Sequence, residues 1–499
     1  MNGIHEVSGS IPLSSTTSPA QRKRFVDPLS DLICPRPYPQ KKIRSSGQDG
    51  PRPLGLSFHL IYNQMRPGMS PLRLQLTVAM GGKTGMTTLI LAGTLLAKPG
   101  EEPLYKHTIR VEAGRISGVE KGFAAATTGD ELIDLSDQVV LPGLIDCHVH
   151  LTSQFGPTHK ILTVEESAAA IALHAAAHAR ATLLAGFTTV RDLGELGGAG
   201  DAIFALRNAV AKGYVPGPRI FAAGAVVSPT GGHGITCGYR DDINLLLDSS
   251  GRADGIDGCR LAVRRQIHRG ADFIKFVATG GVLTDTATGT GQQFFADELE
   301  AIIATAHMLG RQTTAHAHGA DGIKAALRAG VDSIEHGSFM DDEAIELMLA
   351  RKVVHVPTTL AGATVAAQAK DGVLPEAIRK KALEVGPQIL HTLGRSHKAG
   401  IRIAFGTDSG VSRHGENAKE FALMVEAGMR PMEAIAAATQ HAAEHIGFSD
   451  HIGTIEPGKF ADVIAVAHDP LKDIRALCDV SWVMKSGVVY KQAQGRSRA

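Results

Sequence analysis

Two histidines one residue apart, His148 and His150 in LPGLIDCHVHLTSQ, sit in an apolar run that reads as a β-strand. Alternate residues of a strand point to the same face, so the two imidazoles form half of a metal site. Further candidate ligands follow other short apolar runs: Lys275 in FIKFVATGG, His316 in TTAHAHG, His336 in SIEHG and Asp408 in AFGTDSG. Imidazole and carboxylate together hold hard or borderline divalent ions such as zinc. The lysine is the odd member, since an ammonium repels cations and has no lone pair. Buried in a cationic site, however, it is biased toward the neutral amine. One such pair would be weak; five segments of one kind predict a metal centre.

The elements between these segments say how the ligands could meet. Helical stretches at 165–186, 296–310 and 376–400 end at glycine, the residue that takes the left-handed C-cap without a Cβ penalty. Short β-type runs follow helices repeatedly: FTTVRD, ADFIKF, QTTAHA, VDSIEH, VVHVPTT and IRIAFGTD. Alternating strands and helices predict a parallel sheet, with a (β/α)8 TIM barrel as the expected architecture over 144–452. Lys275, His316, His336 and Asp408 lie 5, 6, 6 and 8 residues after Gly270, Gly310, Gly330 and Gly400. That places them toward the far strand ends, which in a barrel converge on one mouth. Residues 86–143 and 453–492 instead carry short alternating β segments, and predict a small β-sandwich domain built from both chain ends.

Bulk composition narrows the classes. The chain is 499 residues long, 43% hydrophobic and 20% charged, with a net charge of +1, so nucleic-acid binding has no electrostatic support. Residues 1–85 hold 11 Lys/Arg against 4 Asp/Glu and 10 of the 23 prolines, without apolar periodicity. They read as a disordered, basic, Pro-rich tail, dispensable for the fold, with Met80 or Met86 as alternative starts. The run LILAGTLLA (89–97) is read as a strand, and no apolar stretch reaches the ~18–20 residues of a membrane span. Five scattered cysteines without a CxxC pair fit a reducing cytoplasm.

Other histidine patterns are discounted. His441, Glu444 and His445 match the spelling H-x-x-E-H but lack a third ligand, and His174 and His178 read as helix-face residues. GGKT at 81–84 lacks the first glycine and the context of a phosphate loop.

HVH, the lysine of FIKFVATGG, TTAHAHG, SIEHG, GTDSG and the late IGTIEPGKFADVIA together resemble the amidohydrolase superfamily over roughly 88–492. HVHLTSQ, SPTGGHG, HRGADFIKF, the TGG turn and AHAHG are most similar to its binuclear metallo-dipeptidase and ochratoxin-amidase branch, which cleaves amide bonds to a C-terminal amino acid. The resemblance implies two divalent ions, expected as zinc. His148, His150 and Asp408 would hold one, His316 (rather than His318) and His336 the other. Lys275, carboxylated by CO2, would bridge them. It further implies attack on a dipeptide or N-acyl amino acid by a metal-bridging hydroxide, with Asp408 moving the proton to the leaving nitrogen. His318 and Tyr239 are candidate substrate contacts, with Arg240 as an alternative to Tyr239. A cyclic-amide hydrolase or deaminase of the imidazolonepropionase type is the second reading, against which the bridging lysine counts. A non-catalytic scaffold is the third, disfavoured because all six ligands are present. No nucleic-acid or membrane partner is expected, and the architecture commonly assembles into homo-oligomers.

Overall fold

The computed structural model describes residues 87–156, 159–194, 201–235, 239–247, 251–284 and 289–492. The tail 1–85 and GGKT lie outside these residues. In chain order the strands are β1 (Thr88–Leu95), β2 (Leu104–Glu112), β3 (Arg115–Lys121), β4 (Glu131–Pro142), β5 (Leu144–Val149), β6 (Phe187–Asp192) and β7 (Arg219–Ala222). They continue with β8 (Ile274–Val277), β9 (Thr313–Ala317), β10 (Ser333–His336), β11 (Val354–Val356), β12 (Val463–Val466), β13 (Val480–Lys485) and β14 (Val488–Lys491).

Both chain ends build one seven-stranded sheet, in the order β14-β13-β12-β4-β1-β2-β3. The seam is the antiparallel pairing of β12 with β4, in register from Val463 opposite Pro142 to Val466 opposite Val139. Alternation along these strands sends Ile90, Ala92, Ile109, Val111, Val463, Ala465, Trp482 and Met484 into one buried cluster. Among the described residues these strands are linked in one continuous hydrogen-bonded sheet, whose β3 edge also bridges at Arg115 to Phe460, ahead of β12.

The middle of the chain forms two parallel sheets, β5-β6-β7 and β11-β10-β9-β8. Every residue of β5, β6, β8, β9, β10 and β11 is buried, as expected of parallel strands covered on both faces. Backbone bonds link the sheets at two places. Val227 N donates to Lys275 O (2.9 Å) and Val277 N to Val227 O (3.1 Å). On the other side, residues 402–409 run between β11 and β5: Ala404 N donates to His355 O (3.0 Å), Cys147 N to Phe405 O (2.8 Å) and His150 N to Ser409 O (2.7 Å). The run IRIAFGTD, expected as a regular strand, makes only an isolated bridge at Ile403 before Asp408 turns to φ +55°.

The helices follow the glycine signals. Gly270, Gly330 and Gly400 are left-handed C-caps, with φ between +85° and +106°. The helix expected at 165–186 forms as Ala168–Leu184, where Ser167 caps it by accepting from Ala170 N, and a separate short helix, His159–Glu165, precedes it. No helix among the described residues is long and apolar enough to cross a membrane.

Candidate metal centre and active site

The ligand-type residues converge. His148 and His150 leave the end of β5, Lys275 lies within β8, His316 near the end of β9 and His336 at the end of β10, and Asp408 follows the segment beside β5. Ring centroids separate His148 from His150 by 5.4 Å, His148 from His336 by 5.1 Å and His316 from His336 by 4.6 Å. Candidate ligand atoms of His148, His336 and Asp408 lie within 4.8 Å of one another, and so do those of His316, His318 and His336. The second group therefore includes His318 beside the histidine that the resemblance selects.

Hydrogen bonds orient the rings. His148 Nδ1 donates to Glu335 Oε2 (2.6 Å) and His150 Nδ1 to Gly194 O (2.7 Å). Thr358 Oγ1 spends its proton on Pro357 O, so it accepts from His336 Nδ1 at 2.7 Å. The Nε2 atoms of His148 and His150 then face Asp408 Oδ1 at 3.5 and 3.3 Å. Lone pairs so placed against a carboxylate call for a second proton or a cation between them. His336 and Asp408 both hold positive φ, +68° and +55°, a conformation costing of order 1 kcal/mol or more that collects at functional sites.

The electrostatics fit a divalent-ion site. Burial, and then the charge of Lys275, lowers His148 to about 4, while burial and neighbouring imidazoles hold His316 and His336 well below the usual range. These rings are neutral, with lone pairs to offer. Burial pulls His150 down, but Asp408, together with the charge of Asp192 and the bond to Gly194 O, brings it above the usual imidazole value. Burial would raise Asp408, yet His148, His150 and Lys275 hold it below the usual carboxylate range. Lys275 is 3% exposed and its Nζ has no hydrogen-bond partner; desolvation lowers it to about 8. His316 Nε2 is likewise buried without a partner. Orphaned nitrogens among neutral imidazoles and an ionised carboxylate are what a cation would satisfy.

Among the substrate candidates, His318 joins the ring cluster, 4.9 Å from His336, with Nδ1 on Ser338 Oγ (2.6 Å). Tyr239 is half-buried and its carbonyl accepts from Asn244 Nδ2, whereas Arg240 is exposed and paired with Asp242. One residue of this cluster was missed in the sequence: the His233 ring lies tilted by 36° against His316 with centroids 4.2 Å apart and contacts Thr284 Oγ1 through Nδ1. Its signal was a histidine after Gly-Gly in the loop beyond β7. The discounted patterns stay outside the centre. His445 Nε2 meets Arg191, Glu444 pairs with Arg402, His174 pairs with Glu166, and His178 stacks on His414.

The model of the amidohydrolase family matches residues 139–490. Ochratoxinase from Aspergillus niger is 32% identical over 81% of this chain and 86% of its own. A solved Xaa-Pro dipeptidase with methionine bound in its active site is 41% identical, covering 81% of this chain and 100% of that one, at a TM-score of 0.76. A prolidase complexed with N-methylphosphonate-L-proline is 30% identical over 81% of this chain and 100% of its own, at a TM-score of 0.73. With these matches added to a cluster of converging imidazoles, the chain belongs to the amidohydrolase family and is a hydrolase acting on carbon–nitrogen bonds.

Proposed function

We propose that the chain cleaves the amide bond of dipeptides or N-acyl amino acids at a centre of two divalent ions, zinc in the first instance. The observation that carries this reading is Lys275: an amine buried without a partner, biased toward the neutral form, amid the ligand histidines. A neutral amine adds CO2 to give a carbamate and a proton, and the two carbamate oxygens suit a bridge. His148, His150 and Asp408 would hold one ion, His316 and His336 the other, with carboxylated Lys275 between. When bound, the ions supply Lewis acidity for the scissile carbonyl and lower the pKa of water.

The remaining work falls to this chain's side chains. Asp408, kept ionised, takes a proton and returns it to the leaving nitrogen. His318, neutral because burial lowers it to about 3, contacts the substrate beside His336, and Tyr239 takes its carboxylate. Gly194 and Thr358 keep the rings of His150 and His336 in place, so neither has to reorganise during the reaction. The architecture proposed for this site is a (β/α)8 barrel over 144–452, with a β domain from 86–143 and 453–492. Eight segments support it: β5 to β11 and residues 402–409, joined by the backbone bonds at Val227 and at Phe405.

An amino-acid product is favoured by two relatives whose structures hold methionine and an L-proline derivative. The test is mass-spectrometric detection of amino acids released from a library of dipeptides and N-acyl amino acids by zinc-loaded protein. Release is expected. Silence from folded, metal-replete protein that turns over cyclic amides or heterocycles would overturn the substrate class in favour of the second reading.

A further inference from the structure

Behind the histidine ring runs a buried chain of polar groups that the hydrolysis scheme leaves largely unused. Glu335 is fully buried, immediately before His336 on β10. Its two oxygens have separate tasks. Oε1 accepts from Arg191 Nη2 (2.5 Å), Ser333 Oγ (3.2 Å) and Thr314 Oγ1, while Oε2 accepts from His148 Nδ1 at 2.6 Å. Arg191, 3% exposed on β6, donates Nε to Cys147 O (2.8 Å), on the residue before His148. Its Nη1 lies 2.6 Å from His445 Nε2. A guanidinium has donors only, so His445 Nε2 is the acceptor, and that imidazole is neutral with its proton on Nδ1. Burial, then the charge of Arg191, lowers His445 to about 3, which agrees. The H-x-x-E-H spelling is thereby explained without a metal: the lone pair of its last histidine belongs to an arginine.

We infer that Glu335 is a positioning residue for His148, and that Arg191, seated by Cys147 O and His445, holds Glu335 in place. By taking the Nδ1 proton, Glu335 leaves the Nε2 lone pair of His148 on the side of Asp408. A carboxylate serving only as a counter-ion to Arg191 would need Oε1 alone; Oε2 turned onto His148 is the part that a structural role does not require. Because Arg191 and Glu335 cancel, the chain presents an acceptor to a ligand histidine without adding net charge to the interior.

The inference rests on the metal reading but on no particular substrate, so it is tested by zinc alone. Wild type, Glu335→Gln, His445→Gln and His445→Leu are compared by competition with a chromophoric chelator, by zinc content and by circular dichroism. Glu335→Gln presents an NH2 to either His148 or Arg191, and is expected to bind zinc about 10- to 100-fold more weakly with its fold intact. His445→Gln keeps an acceptor for Arg191 and should bind as wild type does, whereas His445→Leu should bind more weakly. Wild-type zinc affinity in both Glu335→Gln and His445→Leu, with only melting temperature lowered, would overturn the inference and leave the metal reading standing. If Glu335→Gln fails to fold, the two His445 variants decide: unequal zinc affinity supports the chain and equal affinity overturns it. A wild-type chain that binds no divalent ion would overturn both readings.

Discussion

Replacing Lys275 with methionine should make the metal-free protein more stable while removing its activity. The Lys275 amine is lowered from 10.5 to about 8, chiefly by desolvation, with Glu335 and Asp408 opposing the shift. At about 1.4 kcal/mol per unit, keeping that ammonium charged in the fold costs about 3 kcal/mol below pH 8. The unfolded chain binds more protons than the native one between pH 8 and 10.5, so the cost shrinks as pH rises through that window. Methionine has similar length and no charge to desolvate. Urea unfolding of chelator-treated wild type and Lys275→Met should therefore show the variant more stable at pH 7, by up to about 3 kcal/mol, and a smaller gap at pH 9.5. In bicarbonate with zinc at a thousandfold excess over Kd the order should reverse, because metal binding stabilises only the protein that holds it, by about 4.1 kcal/mol. A metal-free variant less stable than wild type at pH 7 would refute the reasoning, since it would make Lys275 a supporting cation. Full amidase activity in the variant would refute the bridging role.

Gly281 and Gly406 are among the glycines that make close approaches to site histidines. A Cβ on Gly281 would stand 2.4 to 2.6 Å from three ring atoms of His233, so Gly281→Ala should displace that ring and raise KM with metal content unchanged, checked by kinetics and elemental analysis. A Cβ on Gly406 would meet Val356 Cγ1 at 2.4 Å and His148 Cβ at 2.9 Å. Gly406→Ala should cost about 1–3 kcal/mol in denaturant unfolding and weaken zinc binding as well. Outside the ligand set, burial lowers His355 to about 4 and, with smaller charge effects, His414 and His445 to about 3. The unfolded chain binds the extra protons, so these imidazoles remove stability as pH falls below 6.5. Asp146 and Glu420, raised by burial to about 6 and about 7, oppose them over part of that range. Together these five groups contribute a net loss of about 2 kcal/mol between pH 7 and pH 5, in the same direction as the lowered His148, His233 and His318 of the site; a urea midpoint of metal-free protein that rises over this range would contradict it.

The convergence of candidate ligands was legible because a strand buried on both faces has little reason to carry imidazole or ammonium, and β5, β8, β9 and β10 each carry one. The same signal was present in FTTVRD and SIEH, where Arg191 and Glu335 stand in equally buried strands. It went unread because their meaning lies in a partner 144 positions away, which periodicity does not reveal. His233 was harder still, since a loop has no repeat to break. The seam of the small β domain was illegible for a related reason: alternation marks which face of β4 or β12 is buried but not that the two strands pair, and that pairing joins the chain ends. His336 and Glu335 show why the layers of the site cannot be read separately. They are neighbours on β10 with opposite tasks, one turned into the ring by its positive φ, the other reaching behind it to His148. A substitution at either position therefore disturbs two proposed ligands, and an alanine at Glu335 would resemble the loss of one although its carboxylate acts on the site through His148.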